Sequence, residues 1–280
     1  MMPILQLTRP RLSALVAASA LAGGLAGPRP PGPVGLAALG CGVLLLTAGC
    51  SALNQFQERD TDALMRRTGG RPLPAGRLTP RAGLLAAVLM LGAGLGTLGA
   101  APGPVVVLLG LFAACWYNGV YTPLKRHSRF AVLPGALCGV IPPLMGWVSA
   151  GGDPGDHRIV VFSGLLFLWQ IPHFWLFTLR HREDFQRAGL PTIFDAFSAS
   201  QVLRIALAWS LALATGGWLL LGLGVPQAPA ARLLAAAVIL WLTLRTLRGL
   251  RRGAPAQMFG TLNLFMALLI GSLLVNAFTG

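Results

Sequence analysis

Asn54, Glu58 and Asp62 recur at intervals of four. On an α-helix that interval keeps all three side chains on one face, drifting by about 40° per step. Oxygen ligands on one face suit Mg²⁺, which takes carboxylates, waters and substrate phosphates. Arg66, Arg67 and Arg71 follow within the next turns of chain. Guanidinium forks pair with phosphate oxygens, so carboxylates beside an arginine cluster are what a Mg²⁺–diphosphate site needs. The same spacing also suits a solvated helix end, with Glu58, Arg59, Asp62 and Arg66 in i,i+4 ion pairs. Asn54 weighs toward the site, because an amide at the edge of a bilayer is costly unless it has a use.

A second cluster is Tyr117-Asn118-Gly-Val-Tyr121-Thr122-Pro-Leu-Lys125-Arg126-His127, which holds the only two tyrosines of the chain. The phenols suit a phosphate or a cation, and equally an interfacial aromatic belt. Lys125 and Arg126 read either as phosphate contacts or as topology anchors. A third cluster runs Trp169-Gln170-Ile-Pro172-His173-Phe174-Trp175, then Arg180-His181-Arg182-Glu183-Asp184-Phe185. Gln170 and His173 are polar within an apolar run, which marks them for function, although a lone histidine there also serves as hydrogen-bonded structure. Trp169, Phe174 and Trp175 offer faces for a cation or a planar ring. Glu183 and Asp184 supply a second carboxylate pair, so that two acidic loops could face one diphosphate.

The elements that must position these groups are membrane helices. The chain is 280 residues, 55% apolar and 11% charged, with a mean hydropathy of +0.69. Soluble domains carry about 25% charged residues, and a disordered chain needs low hydrophobicity. Nine apolar spans are expected, at roughly 12–28, 33–54, 82–100, 104–120, 131–150, 159–179, 202–224, 227–244 and 258–278. They do not alternate as strands would, so they are helices, and Gly and Pro are tolerated within them. The first run, preceded by Arg9 and Arg11, also has the form of a signal peptide. A second span follows after only a Pro-rich turn (Pro28, Pro30, Pro31, Pro33), which favours a first helix.

The net charge of +14 would suggest nucleic acid on a soluble protein. Here the basic residues sit in short loops between apolar runs. With the N-terminus inside, the outside turns carry only Arg29, Arg158 and Arg232, and every other Lys and Arg falls inside. That is the positive-inside rule; it places the C-terminus outside and leaves nucleic acid without a role. The two acid-bearing inside loops, 55–81 and 180–201, should be the active-site loops of a single domain spanning 1–280. Cys41, Cys50, Cys115 and Cys138 form no CxxC and have no nearby histidine, so they read as reduced packing residues.

Taken together, these motifs resemble the UbiA superfamily of intramembrane prenyltransferases, most nearly its haem-farnesylating branch, the protoheme IX farnesyltransferases. The resemblance runs from Leu7-Thr-Arg-Pro-Arg11 to the last span. Its carriers are Asn54-Gln-x-x-Glu58-x-x-x-Asp62-x-x-Met65-x-Arg67-Thr68-x-x-Arg71-Pro-Leu-Pro74, Tyr121-Thr-Pro-Leu-Lys-Arg126, Pro142-Pro-Leu-Met-Gly-Trp147, Trp169-Gln-Ile-Pro-His-Phe174 and Glu183-Asp-Phe-x-x-Ala-Gly-Leu-Pro191. The chain departs from the branch in having Glu183-Asp184-Phe185 for Asp-Asp-Tyr, Ala131 for an Asn, and Thr192 after Pro191 for a Met.

The resemblance implies an all-α bundle around a central cavity open to the cytoplasmic side, in the plasma (inner) membrane. It implies a transferase joining farnesyl diphosphate to a vinyl group of haem B, with Mg²⁺ as cofactor and diphosphate released. Asn54, Glu58, Asp62, Tyr121 and Asp184 would be catalytic, and Asn54, Asp62, Glu183 and Asp184 would hold the metal. Arg67, Arg71, Lys125 and Arg126 would bind diphosphate, and His173, Trp169 and Gln170 the haem. Partners would be the lipid bilayer and haem-copper oxidase assembly proteins. The alternatives are a prenyltransferase for another aromatic or quinone-precursor acceptor, and a non-catalytic transporter or assembly factor. Transporters tend to show repeats in matching halves, and the 54–62 motif has no spaced copy near Glu183.

Overall fold

The computed structural model describes residues 3–252 and 256–279. In chain order the helices are α1 (Pro3–Leu7), α2 (Pro10–Leu25), α3 (Pro33–Gln57), α4 (Arg59–Leu64), α5 (Pro80–Leu98) and α6 (Val105–Cys115). A π-turn (Trp116–Tyr121) joins α6 to α7 (Thr122–Leu124). Then come α8 (Val132–Ser149), α9 (His157–Arg180), α10 (Arg182–Arg187), a 3₁₀ turn (Ile193–Asp195), α11 (Ala199–Gly222), α12 (Pro229–Arg252) and α13 (Ala256–Thr279).

Among the described residues, eight helices are long and apolar enough to cross a membrane, and α2 is a shorter apolar helix of 16 residues. All nine expected spans have a helix at their positions. The turn at 253–255, which the arginine count places inside, lies outside the described residues. Helix starts follow local chemistry. Pro10, Pro33 and Pro80 stand at first-turn positions, where a missing N–H costs nothing. Thr79 caps α5, Asp156 caps α9, and Ser198 with Gln201 forms a capping box on α11.

The helices pack as two halves. One holds α2, α3, α5, α6 and α8, around Leu39, Val43, Leu46, Leu98 and Met145. The other holds α9, α11, α12 and α13, around Phe162, Leu213, Ile239 and Phe265. Contacts of α8 with α9, and of α13 with α2 and α9, close the ring. Outward faces stay apolar: Leu89 is 62% exposed and Leu108 is 64% exposed. That surface suits lipid rather than water. At the α2–α8 crossing the backbones nearly touch, since a Cβ on Gly146 would meet the carbonyl oxygen of Ala20. Small residues at such crossings are how membrane helices approach closely.

Candidate active site

A cavity of about 690 Å³ lies between the two halves. One end is charged, lined by Arg9, Glu58, Asp62, Arg67, Arg71 and Lys125. The rest is apolar and aromatic, with Val43, Leu46, Met145, Trp169, Phe174 and Phe177 on its walls.

The charged end is built where α3 stops. Glu58 leaves helical geometry (φ −103°, ψ 5°), yet its amide still bonds the Asn54 carbonyl and its carbonyl accepts from the Asp62 amide. The four-residue spacing therefore survives the break into α4. Glu58 and Asp62 are both buried and both on the cavity wall. Each carboxylate has one cation. Lys125 Nζ is 2.5 Å from Glu58 Oε1, and Arg71 Nη1 is 2.5 Å from Asp62 Oδ2. Burying these charges is costly unless they are paired. Burial pulls the Lys125 ammonium below its ordinary pKa, and Glu58 opposes that shift. Burial, then the nearby Arg9 charge, lower Arg67 and Arg71 in the same way, against Asp62. The end thus holds more cations than carboxylates, which suits a polyanion.

Asn54 is fully buried but stands behind the wall. Its Nδ2 donates to Thr122 Oγ1 (3.1 Å) and its Oδ1 accepts from Arg9 Nη2 (3.3 Å). Arg126 likewise turns from the cavity, donating to the Gln57 carbonyl. Glu183 is exposed. Asp184 is buried, with Oδ1 accepting from the Arg66 amide (2.8 Å) and Oδ2 from the Arg67 amide (3.2 Å). Burial alone would raise the Asp184 carboxyl; those two amides, with the Arg187 and Arg67 charges, carry it below its usual value instead.

Arg9 is the site residue that sequence reasoning missed, reading it only as a basic start. It has a positive φ of 44°, unusual for a residue with a side chain. Strain of this kind collects at functional positions. Thr8-Arg9-Pro10 carried no signal of this, since a following proline favours extended backbone.

Tyr117 and Tyr121 both line the cavity, with ring centroids 5.6 Å apart. Lys125 Nζ lies 5.5 Å from the Tyr121 ring centre. The π-turn that carries the tyrosines is a type often found at functional sites. Across the cavity, His173 lies between Trp169 (4.9 Å) and Phe259 (4.8 Å, stacked). Among the described residues its Nδ1 is buried without a hydrogen-bond partner. Gln170 bonds the Ala136 carbonyl on α8 (3.0 Å), so it ties the two halves together. Trp169 Nε1 donates to the Leu262 carbonyl (2.9 Å). All four cysteines are free.

Among the described residues, no three His, Cys, Asp or Glu side chains converge into a closed metal cage. The donor set fits Mg²⁺ in another way. That ion is commonly held by one or two carboxylates, with substrate phosphates and water completing its shell. Glu58 and Asp62 beside open volume and a cation cluster meet that description.

Comparisons with known proteins give the family and the fold. Residues 14–269 match the model of the UbiA prenyltransferase family. The chain is 42% identical over 272 residues to the protoheme IX farnesyltransferase of Geobacter sulfurreducens, covering 97% of this chain and 98% of that one. It is 41% identical over 205 residues to the protoheme IX farnesyltransferase of Anaeromyxobacter dehalogenans, covering 72% of this chain and 68% of that one. The fold matches a solved UbiA homologue from Archaeoglobus fulgidus bound to GPP and Mg²⁺, with a TM-score of 0.72 at 16% identity over 98% of this chain and 99% of that one. This multi-pass membrane enzyme belongs to the UbiA prenyltransferase family.

Proposed function

We propose that the chain transfers the farnesyl group of farnesyl diphosphate to a vinyl group of haem B, releasing diphosphate and forming haem O. The observation that carries this reading is one cavity with a carboxylate–cation end and an aromatic wall. The names of relatives at 42% and 41% identity support the acceptor.

The diphosphate enters the charged end. Arg67, Arg71, Lys125 and Arg9 neutralise it, while Arg126, turned to the Gln57 carbonyl, takes no part. Glu58 and Asp62 are the carboxylates that would hold Mg²⁺, with Asn54 fixing Arg9 behind them. Mg²⁺, when bound, supplies positive charge to the departing diphosphate oxygens. The farnesyl C1–O bond breaks, and its electron pair leaves with diphosphate. The prenyl chain lies along Val43, Leu46 and Met145, where water is excluded. Tyr117 and Tyr121 present π-faces to the developing allylic cation. The terminal vinyl carbon of haem B gives its electron pair to C1. Water then adds at the adjacent carbon and loses a proton, which leaves the hydroxyethylfarnesyl group. Trp169, His173 and Gln170 orient the macrocycle. The charged end faces the cytoplasm of the inner membrane, with the N-terminus inside and the C-terminus outside, and the product passes to haem-copper oxidase assembly.

The direct test is purified protein in lipid nanodiscs with haem B, farnesyl diphosphate and Mg²⁺. A hydroxyethylfarnesyl haem should form, and a chelator should stop it. Transfer that proceeds undiminished in chelator removes the metal role; farnesylation of a quinone precursor but not of haem B replaces the acceptor.

A further inference from the structure

The two loops at the charged end meet through one carboxylate. Asp184 stands in the first turn of α10, buried, and takes the consecutive amides of Arg66 and Arg67 on its two oxygens at 2.8 and 3.2 Å. Those amides open a tight turn. The Gly69 amide bonds the Met65 carbonyl at 2.8 Å, the Thr68 hydroxyl bonds the Asp62 carbonyl at 2.9 Å, and the Arg71 amide bonds the Thr68 carbonyl at 2.9 Å. Asp62 and Arg71, the ion pair of the cavity, are therefore the two ends of the turn that Asp184 holds.

The same corner grips the turn a second time. Phe177, on α9, lies under the Arg67 guanidinium at 4.9 Å. The α9–α10 corner thus fixes Arg67 at its backbone, from α10, and at its side chain, from α9. Arg187 stands 3.7 Å from Asp184 Oδ1 and backs the carboxylate. Turning Asp184 toward a metal would strip two backbone donors of their acceptor, which carries the cost of leaving such groups unmade. Its neighbour Glu183 is exposed and makes no such bond among the described contacts.

We propose that Asp184 is a positioning residue: it clasps the 65–71 turn to the α9–α10 corner and so sets Arg67 and Arg71 at the diphosphate end, rather than ligating the metal. The proposal rests on the reading of Arg67 and Arg71 as diphosphate contacts. It also accommodates Glu183 at the first position of the pair, since only the second acid takes the amides.

Residue-resolved hydrogen exchange on the full-length protein tests it without any acceptor. In the unaltered protein the Arg66 and Arg67 amides should be protected. In Asp184→Asn that protection should fall about tenfold. The KM for farnesyl diphosphate should rise by about the same factor, with the Mg²⁺ concentration for half-maximal rate unchanged. Rapid exchange of both amides in the unaltered protein overturns the clasp, and does so even when the variant fails to fold. Unchanged exchange in Asp184→Asn overturns it too, as does a raised Mg²⁺ requirement. If haem B is the wrong acceptor, the exchange result is untouched, so the two failures are separable.

Discussion

Asp62 and Arg71 are nine residues apart in the chain and 2.5 Å apart in space, and their ion pair forms part of the wall of the cavity. The carboxylate proposed to hold the metal is thus paired with a guanidinium proposed to bind phosphate. Glu58 and Lys125 repeat the arrangement on the neighbouring helical turn. On the proposed function, a metal and a diphosphate would replace these partners with charges of the same sign, as buried charges require.

Replacing Asp62 by Asn keeps the shape of the side chain and removes its charge. Transfer should fall at least about a hundredfold, in line with the loss of one preorganised electrostatic contact at a leaving group. The protein should still insert, with the Thr68 hydroxyl still on the Asp62 backbone carbonyl, but with a lowered unfolding temperature, because Arg71 loses its carboxylate. Product haem is measured by chromatography with mass detection. Full activity in the variant would remove Asp62 from the metal site.

Lys125 gives a pH prediction. Burial lowers its pKa from the ordinary lysine value of 10.5, so the ammonium is lost at a lower pH than in a free lysine. Affinity for farnesyl diphosphate should therefore decline as pH rises, starting below that ordinary value. Lys125→Arg should move the decline upward, since guanidinium holds its proton to far higher pH. KM measured across the alkaline range decides this; an identical profile in the variant contradicts it.

His173→Leu separates the two ends of the cavity. The side chain stacks on Phe259 and lies tilted against Trp169, on the half of the bundle opposite the Glu58–Asp62 carboxylates. Haem B binding, followed by its Soret band, should weaken at least about tenfold. The KM for farnesyl diphosphate should stay within about twofold. A change in KM for the diphosphate with haem binding intact would reverse the assignment of the two ends.

The α2–α8 crossing gives a stability prediction. A Cβ at Gly146 would collide with the Ala20 backbone, which cannot rotate away as a side chain can. Gly146→Ala should destabilise the fold by about 1–3 kcal/mol. It should be read as a lower unfolding temperature in detergent. No change in that temperature would show that the crossing is looser than the backbone separation indicates.

Much of this site was legible in the residues, and the exceptions have physical reasons. Bilayer hydropathy is a strong signal, so each expected span found a helix, with ends displaced by a few residues; α12, for one, runs on to Arg252, past the expected end at 244. The four-residue spacing of Glu58 and Asp62 placed both on the cavity wall. It gave the same face to Asn54, but that side chain meets Thr122 and Arg9 from other elements, and such tertiary partners leave no mark on spacing. Asp184 is the sharper case. An acid next to another acid reads as a ligand pair, whereas its partners are backbone amides more than a hundred residues away. Backbone amides are present at every position and so carry no sequence signal.

The central claim is the reaction itself. The most direct measurement is to express the chain in a host lacking its own haem O synthase, then extract the haems and resolve them by chromatography with mass detection. A new, more hydrophobic haem carrying a hydroxyethylfarnesyl group is the predicted result. Unchanged haem B, with the protein inserted and folded in the membrane, would contradict it and assign the cavity to a different prenyl acceptor.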